Sequence, residues 1–147
     1  SYLATIATEQ VQIIHVQSKA DFSAIYAFRP KDLNYFSDII ASQGEAPSFI
    51  DRRLINGEGR PIDKSSEQYA RHLTGNTFDS GEEFIFMSSE KDHTDEVNYM
   101  YSCPYFNMGN VYSGSIELYY KAKPPEYDEK RLFSICNHVG RVLGRAR

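Results

Sequence analysis

The sequence predicts an α+β fold: a central antiparallel sheet, terminal helices packed on one face, and loops with short helices covering the other. Three observations carry this. Alternating apolar segments come in two hairpin-like groups, at 21–42 and 97–122, with no helix inside either. Helical periodicity is strongest at the two ends of the chain. Strands that follow one another directly, with helices gathered elsewhere, build an antiparallel α+β sheet rather than a doubly wound parallel one.

The elements follow in order. Tyr2–Lys19 reads as a helix, with Leu3, Ala7, Val11 and Ile14 on the helical period and Ile6 and Ile13 on a neighbouring face. Asp21–Arg29 alternates as a strand, with Phe22, Ala24, Tyr26 and Phe28 on one side, and Pro30 stops it. Lys31-Asp32 turns the chain into a second strand at Leu33–Ser42, broken by Gly44. Ser48–Ile55 reads as a short helix that ends in the turn residues Asn56-Gly57-Glu58-Gly59. After an extended Pro61–Asp63, Ser65–Leu73 is a helix with Ser66 as N-cap and Gly75 as the C-terminal stop. Glu83–Met87 is a short strand and Ser88–Glu96 a polar loop. Val97–Phe106 and Val111–Ala122 form a hairpin around Asn107–Asn110. Tyr127–Arg145 closes the chain as a helix. The predicted order is α-β-β-α-α-β-β-β-α.

The closing helix carries two apolar seams. One is Leu132, Ile135, Val139, Val142 and Ala146; the other is Phe133, Cys136, Gly140 and Leu143. A helix that only covers a core needs one stripe. The second seam predicts a partner contact, with Ile6, Ile13, Leu132, Phe133, Ile135, Val139, Val142 and Leu143 as dimer or signalling-helix candidates.

The chain has 147 residues, 41% hydrophobic and 24% charged, with net charge −4. That suits one domain with a real core and argues against a nucleic-acid binder. No window is apolar enough for a membrane span, so no membrane insertion is expected, and no signal peptide is visible. The default reading of Cys103 and Cys136 is two buried free thiols in a reducing compartment, with a disulfide left open. The expected location is cytoplasmic. The first residue is Ser rather than Met, which suits a domain excised from a larger multidomain polypeptide.

Catalytic motifs fail one by one: no GxSxG, HExxH, P-loop or GxGxxG is present. His15, His72, His93 and His138 are spread without metal-ligand spacing, so no metal site is expected. Lys91-Asp92-His93-Thr94-Asp95-Glu96 reads as a solvated charge run. No enzyme activity is expected. Strand alternation puts Met100, Ser102 and Phe106 on one sheet face, roofed by segment 44–82. With Asp51, Arg52, Arg53, Ser66, Tyr69 and His72 from the roof, they are the ligand-pocket candidates. A filled interior without ligand is equally compatible.

Several residues resemble the second half of a GAF domain. These are Ser102-Cys103-Pro104-Tyr105, the Gly-containing turn, Gly114-Ser115-Ile116-Glu117-Leu118-Tyr119-Tyr120, and Tyr127-Asp128-Glu129 opening the last helix. Ser66–Gly75 and Glu82–Phe86 are similar to the family's middle helix and short strand. The resemblance implies a GAF-like, PAS-related fold. It implies a sensory or regulatory domain of a bacterial signal-transduction protein, homodimeric through its terminal helices, with a small-molecule ligand of unknown identity. The output domain would be covalently linked outside this chain. The family's specialised chemistries do not fit. The Asn-Lys-Phe part of a cyclic-nucleotide set is absent, no Cys is followed by His for bilin attachment, and 44–82 has no Cys. The resemblance therefore names no cofactor. Two further readings stay open: a purely structural dimerisation module and a small thiol-dependent redox enzyme using Cys103 or Cys136.

Overall fold

A computed structural model describes residues 2–29, 36–48, 50, 57–80 and 97–147. The elements are α1 (Tyr2–Ser18), β1 (Phe22–Phe28), β2 (Phe36–Gly44), β3 (Arg60–Pro61), α2 (Glu67–Leu73), β4 (Phe78–Ser80), β5 (Tyr99–Phe106), β6 (Tyr112–Tyr120) and α3 (Glu126–Ala146). The strands form one antiparallel sheet in the order β3-β2-β1-β6-β5-β4. The expected α+β, GAF-like architecture is the one observed.

Three elements differ from expectation. Gly44 is the last residue of β2 rather than its breaker, because its φ of +92° lets the chain turn there while Phe22 still pairs with it. The extended residues at 60–61 are an edge strand on β2. Phe78–Ser80 adds a strand to the other edge, paired with β5; three residues are too few for alternation to announce themselves. The helix expected at 48–55, the strand at 83–87 and the loop at 88–96 lie wholly or mostly outside the described residues.

The central strands are covered on both faces, so every residue of β1 and β6 is buried. On one face lie α1 and α3. Leu3, Ala7, Val11 and Ile14 of α1 and Leu132, Cys136, Val139 and Leu143 of α3 pack on Ile25, Tyr101, Tyr105, Ile116 and Leu118. Each such aliphatic side chain contributes about 1.5–3 kcal/mol when taken from water. Neither seam drawn on the sequence of α3 is the buried one. The core stripe takes Leu132 and Val139 from one and Cys136 and Leu143 from the other, because the helix is rotated so that the line between the two seams lies on the sheet. Ile6, Ile135 and Val142 sit at the core's edge, while Ile13 and Phe133 are about half exposed. On the opposite face Phe22, Ala24, Tyr26, Ile39, Ile50, Val97, Met100 and Tyr119 form a second core.

Cys103 of β5 and Cys136 of α3 are joined in a disulfide, with Cα atoms 6.2 Å apart and a sequence separation of 33. Both are fully buried. This corrects the expectation of free thiols. Cys103 points to the helix face of its strand and Cys136 lies in the buried stripe of α3, so the fold brings together two residues that sequence spacing does not relate. The helix runs close over β5 here. A Cβ on Gly140 would come within 3.1 Å of the Pro104 carbonyl, and one on Gly144 would strike the Phe106 carbonyl.

Candidate functional site

The roofed face of the sheet holds the buried side chains of His72 and Glu117. Its cover is the segment from Gly57 to Leu73. Ser66 caps α2, its hydroxyl accepting from the Tyr69 amide at 3.1 Å and donating to the Asp63 carbonyl at 2.8 Å. The cap fixes the register of α2, so Gln68 and His72, four residues apart, both face the sheet.

His72 is fully buried. Its Nε2 lies 2.9 Å from the Ser102 hydroxyl and its Nδ1 2.7 Å from the Tyr112 hydroxyl. Ser102 donates its own proton to the Phe78 carbonyl at 3.0 Å, so it can only accept from His72. That assigns the proton to Nε2 and leaves Nδ1 to accept from Tyr112. Burial lowers the pKa of His72 to about 3, aided by Arg71 and opposed by the Ser102 contact. The ring is therefore a neutral strut between α2 and the sheet.

Glu117 is the second buried titratable group. Its carboxylate accepts from the Tyr119 hydroxyl at 2.6 Å, the Ser115 hydroxyl at 3.1 Å and the Gln68 amide at 3.1 Å. Tyr119, having donated to Glu117, accepts from Tyr26 at 2.9 Å. Gln68 also donates to Ser102 at 3.2 Å, which joins the two clusters. Burial raises the Glu117 pKa; the Tyr119 bond, Arg60, Ser115 and Gln68 all pull the other way. Burial also raises Tyr26, Tyr119 and Tyr112 well above the usual phenol.

Above this network is an open cleft of about 350 Å³, walled by Phe28, Arg60, Gln68, Tyr69, Tyr112 and Glu117 among others. Of the pocket candidates, Ser66 and Tyr69 line it. His72 and Ser102 lie behind the wall, bonded to each other. Met100 is packed in the second core and Phe106 stacks near Tyr112, ring centres 5.8 Å apart. Asp51, Arg52 and Arg53 lie outside the described residues. Sequence reasoning missed Tyr26, Gln68, Tyr112 and Glu117. The available signal was Glu117, a charged residue inside an otherwise apolar strand and on the same face as Ser115 and Tyr119.

Chemically the network is closed on itself: its donors meet acceptors within the chain. Cys103 and Cys136 are bonded to each other and fully buried, so neither sulfur is open to a redox substrate. Among the described residues no group of three His, Cys, Asp or Glu side chains could hold a metal ion. Among the same residues no helix is long and apolar enough to cross a membrane.

A family model described as bacteriophage T holin matches residues 1–146. The holin of Enterobacteria phage K3 is 48% identical over 143 residues, 97% of this chain and 64% of the relative. The holin of Enterobacteria phage T4 gives the same figures. The holin of Escherichia phage T5 is 28% identical over 151 residues, 96% of this chain and 65% of the relative. The chain thus spans about 64% of the length of the first two. Among solved structures, the phycoerythrobilin-bound GAF domain of a cyanobacterial phytochrome superposes with TM-score 0.67 at 14% identity, covering 99% of this chain and 87% of that one. The GAF domain region of a Geobacter sulfurreducens membrane protein gives 0.70 at 12% identity, covering 98% and 91%.

These findings overturn several expectations. Membership of the GAF family is one: GAF domains share the fold at 12–14% identity, while the sequence family matched is another. The bacterial signal-transduction sensor is a second, since the relatives are holins, which belong to phage lysis. The partners drawn from that sensor, a covalently linked output domain with a homodimer and small-molecule ligand serving it, fall with it. The cytoplasmic location falls too, because holins are membrane-associated. Absence of enzyme activity agrees with the holin relatives; a regulatory domain feeding a catalytic module, given as its reason, does not. The resemblance misled because the strand-Pro-strand pattern and aromatic-acid helix start report the fold, which unrelated activities share.

Proposed function

The chain belongs to the bacteriophage T holin family, and on that premise we propose that it is a folded domain through which a phage holin takes part in timing host lysis, standing beside the inner membrane on its oxidising side. The observation that carries this reading is the family match over residues 1–146, supported by 48% identity to the holins of phages K3 and T4. The compartment follows from chemistry. A buried disulfide persists where thiols are not kept reduced, and Cys103–Cys136 ties the outer helix to the central sheet. In this reading the roof network is a lock: His72 and Gln68 pin α2, and Glu117 anchors the strand beneath. Those buried groups give a rigid body rather than a reactive centre.

The test is exchange. Residues 1–146 replace the matching segment of the phage T4 holin, and the time of lysis is read from culture turbidity. Lysis after a defined delay supports the reading. Continued growth, with the exchanged protein present and folded, removes it.

A further inference from the structure

The end of the domain formed by the β5–β6 turn, the start of α1 and the end of α3 differs from the rest of the surface. Arg131 donates to the Gln17 carbonyl at 3.4 Å and Tyr120 to the Ser18 carbonyl at 2.8 Å, so α3 begins where α1 ends and the two run antiparallel. Gly144 lies against Phe106, one residue before the turn. The first residues of α1, the last of α3 and the turn at 107–110 therefore share one end.

Three large apolar side chains are exposed there: Met108 at 81%, Tyr2 at 70% and Val111 at 49%. The turn that presents Met108 is stapled. Asn107 Oδ1 accepts from the Gly109 amide at 2.8 Å and from Val111 at 3.0 Å, and the Asn110 amide donates to the Asn107 carbonyl at 2.9 Å. Arg141 and Arg145 are exposed on the outer side of α3 beside this tip, and Arg147 reaches across to the Phe28 carbonyl. Among the described residues, Asp38 of β2 is held by Arg29 at 3.0 Å, and Glu9 is exposed on α1 two turns in from Tyr2. A chain of net charge −4 thus gathers arginines around an exposed apolar tip.

We propose that this end seats on an anionic phospholipid surface, with Met108, Val111 and Tyr2 entering the headgroup layer and Arg141 and Arg145 meeting lipid phosphates. Exposed apolar side chains flanked by cations are what an interfacial surface offers to anionic lipid. A tyrosine ring suits the headgroup depth. The inference rests on the proposed role beside the membrane and adds which end of the domain faces it.

The test is flotation of the oxidised 147-residue chain with phosphatidylcholine vesicles, with and without phosphatidylglycerol. Binding is expected only to the anionic vesicles and to weaken with salt. Each arginine near the surface is worth about fivefold in partitioning, so Arg141→Gln with Arg145→Gln should weaken binding roughly 30-fold. Met108→Asp should weaken it while leaving thermal unfolding unchanged. Equal or no binding to the two vesicle types overturns the proposal, as does full binding by the Met108→Asp and arginine variants. If neither vesicle binds but Met108→Asp abolishes lysis in the exchanged holin, the tip serves a protein partner and the lipid assignment is wrong. Failure of the exchanged holin to cause lysis counts against the holin role, and vesicle binding is read independently of it.

Discussion

The Tyr112 hydroxyl lies 2.7 Å from His72 Nδ1 and donates to it. This contact joins α2 to the β5–β6 hairpin across 40 residues, where burial keeps the imidazole neutral.

A pH dependence follows. The folded pKa of His72, about 3, is below its unfolded value of 6.5. Between those values the unfolded chain binds the proton and the folded one does not, so stability rises with pH across that window and is lost on acidification. From pH 7 to pH 5 the loss is about 2 kcal/mol. Glu117 has the opposite sign. Its raised pKa means that stability falls as pH climbs through its unfolded value near 4.5. Urea unfolding across this range should therefore show a steeper rise with pH in Glu117→Gln than in the parent. In His72→Gln the rise should shrink to the part left by His15, whose pKa burial also lowers.

Removal of the disulfide tests how the terminal helix is held. Cys103 and Cys136 close a segment of 33 residues, for which chain entropy predicts a stabilisation of roughly 4 kcal/mol. The double Cys→Ser variant, or the parent in strong reductant, should lose about that much unfolding free energy and unfold at a lower denaturant midpoint. An unchanged midpoint would mean that α3 is held by packing alone.

The two glycines of α3 give an ordered pair. In an ordinary exposed helix Gly→Ala gains up to about 1 kcal/mol. Here Gly144→Ala drives a methyl into the Phe106 carbonyl, whereas Gly140→Ala meets Pro104 at 3.1 Å. Gly144→Ala should destabilise by about 1–3 kcal/mol, and Gly140→Ala by less. Thermal unfolding of the two variants reads the order directly.

The helix cap supplies a smaller effect. Ser66→Ala removes the acceptor for the Tyr69 amide and should cost about 1 kcal/mol. Amide exchange should quicken in α2 before the rest of the fold responds.

Local chemistry was legible in the sequence and long-range registration was not. Ser66 was readable as a cap because capping depends on the next three residues alone. The face alternation of β5 was readable for the same reason, and it holds for Tyr99, Tyr101 and Cys103. Plain alternation groups Tyr112 on one face with Ile116 and Leu118, yet Tyr112 lies on the roof side, bonded to His72. The register shifts between Tyr105 and Phe106, Ser113 is the extra residue, and every side chain before it changes face. The disulfide depends on where α3 crosses β5, which no spacing encodes. Family membership lay deeper still, since the residues that resembled a GAF domain specify the fold and the activity is not written in them.

The most direct measurement is the state of Cys103 and Cys136 in cells lysing through the exchanged holin. Proteins are trapped in acid, denatured and alkylated before and after reduction, and the mass of the holin is read. Both cysteines are expected to escape alkylation until reductant is added. Two alkylated cysteines without reductant, in cells that lyse on time, would contradict it.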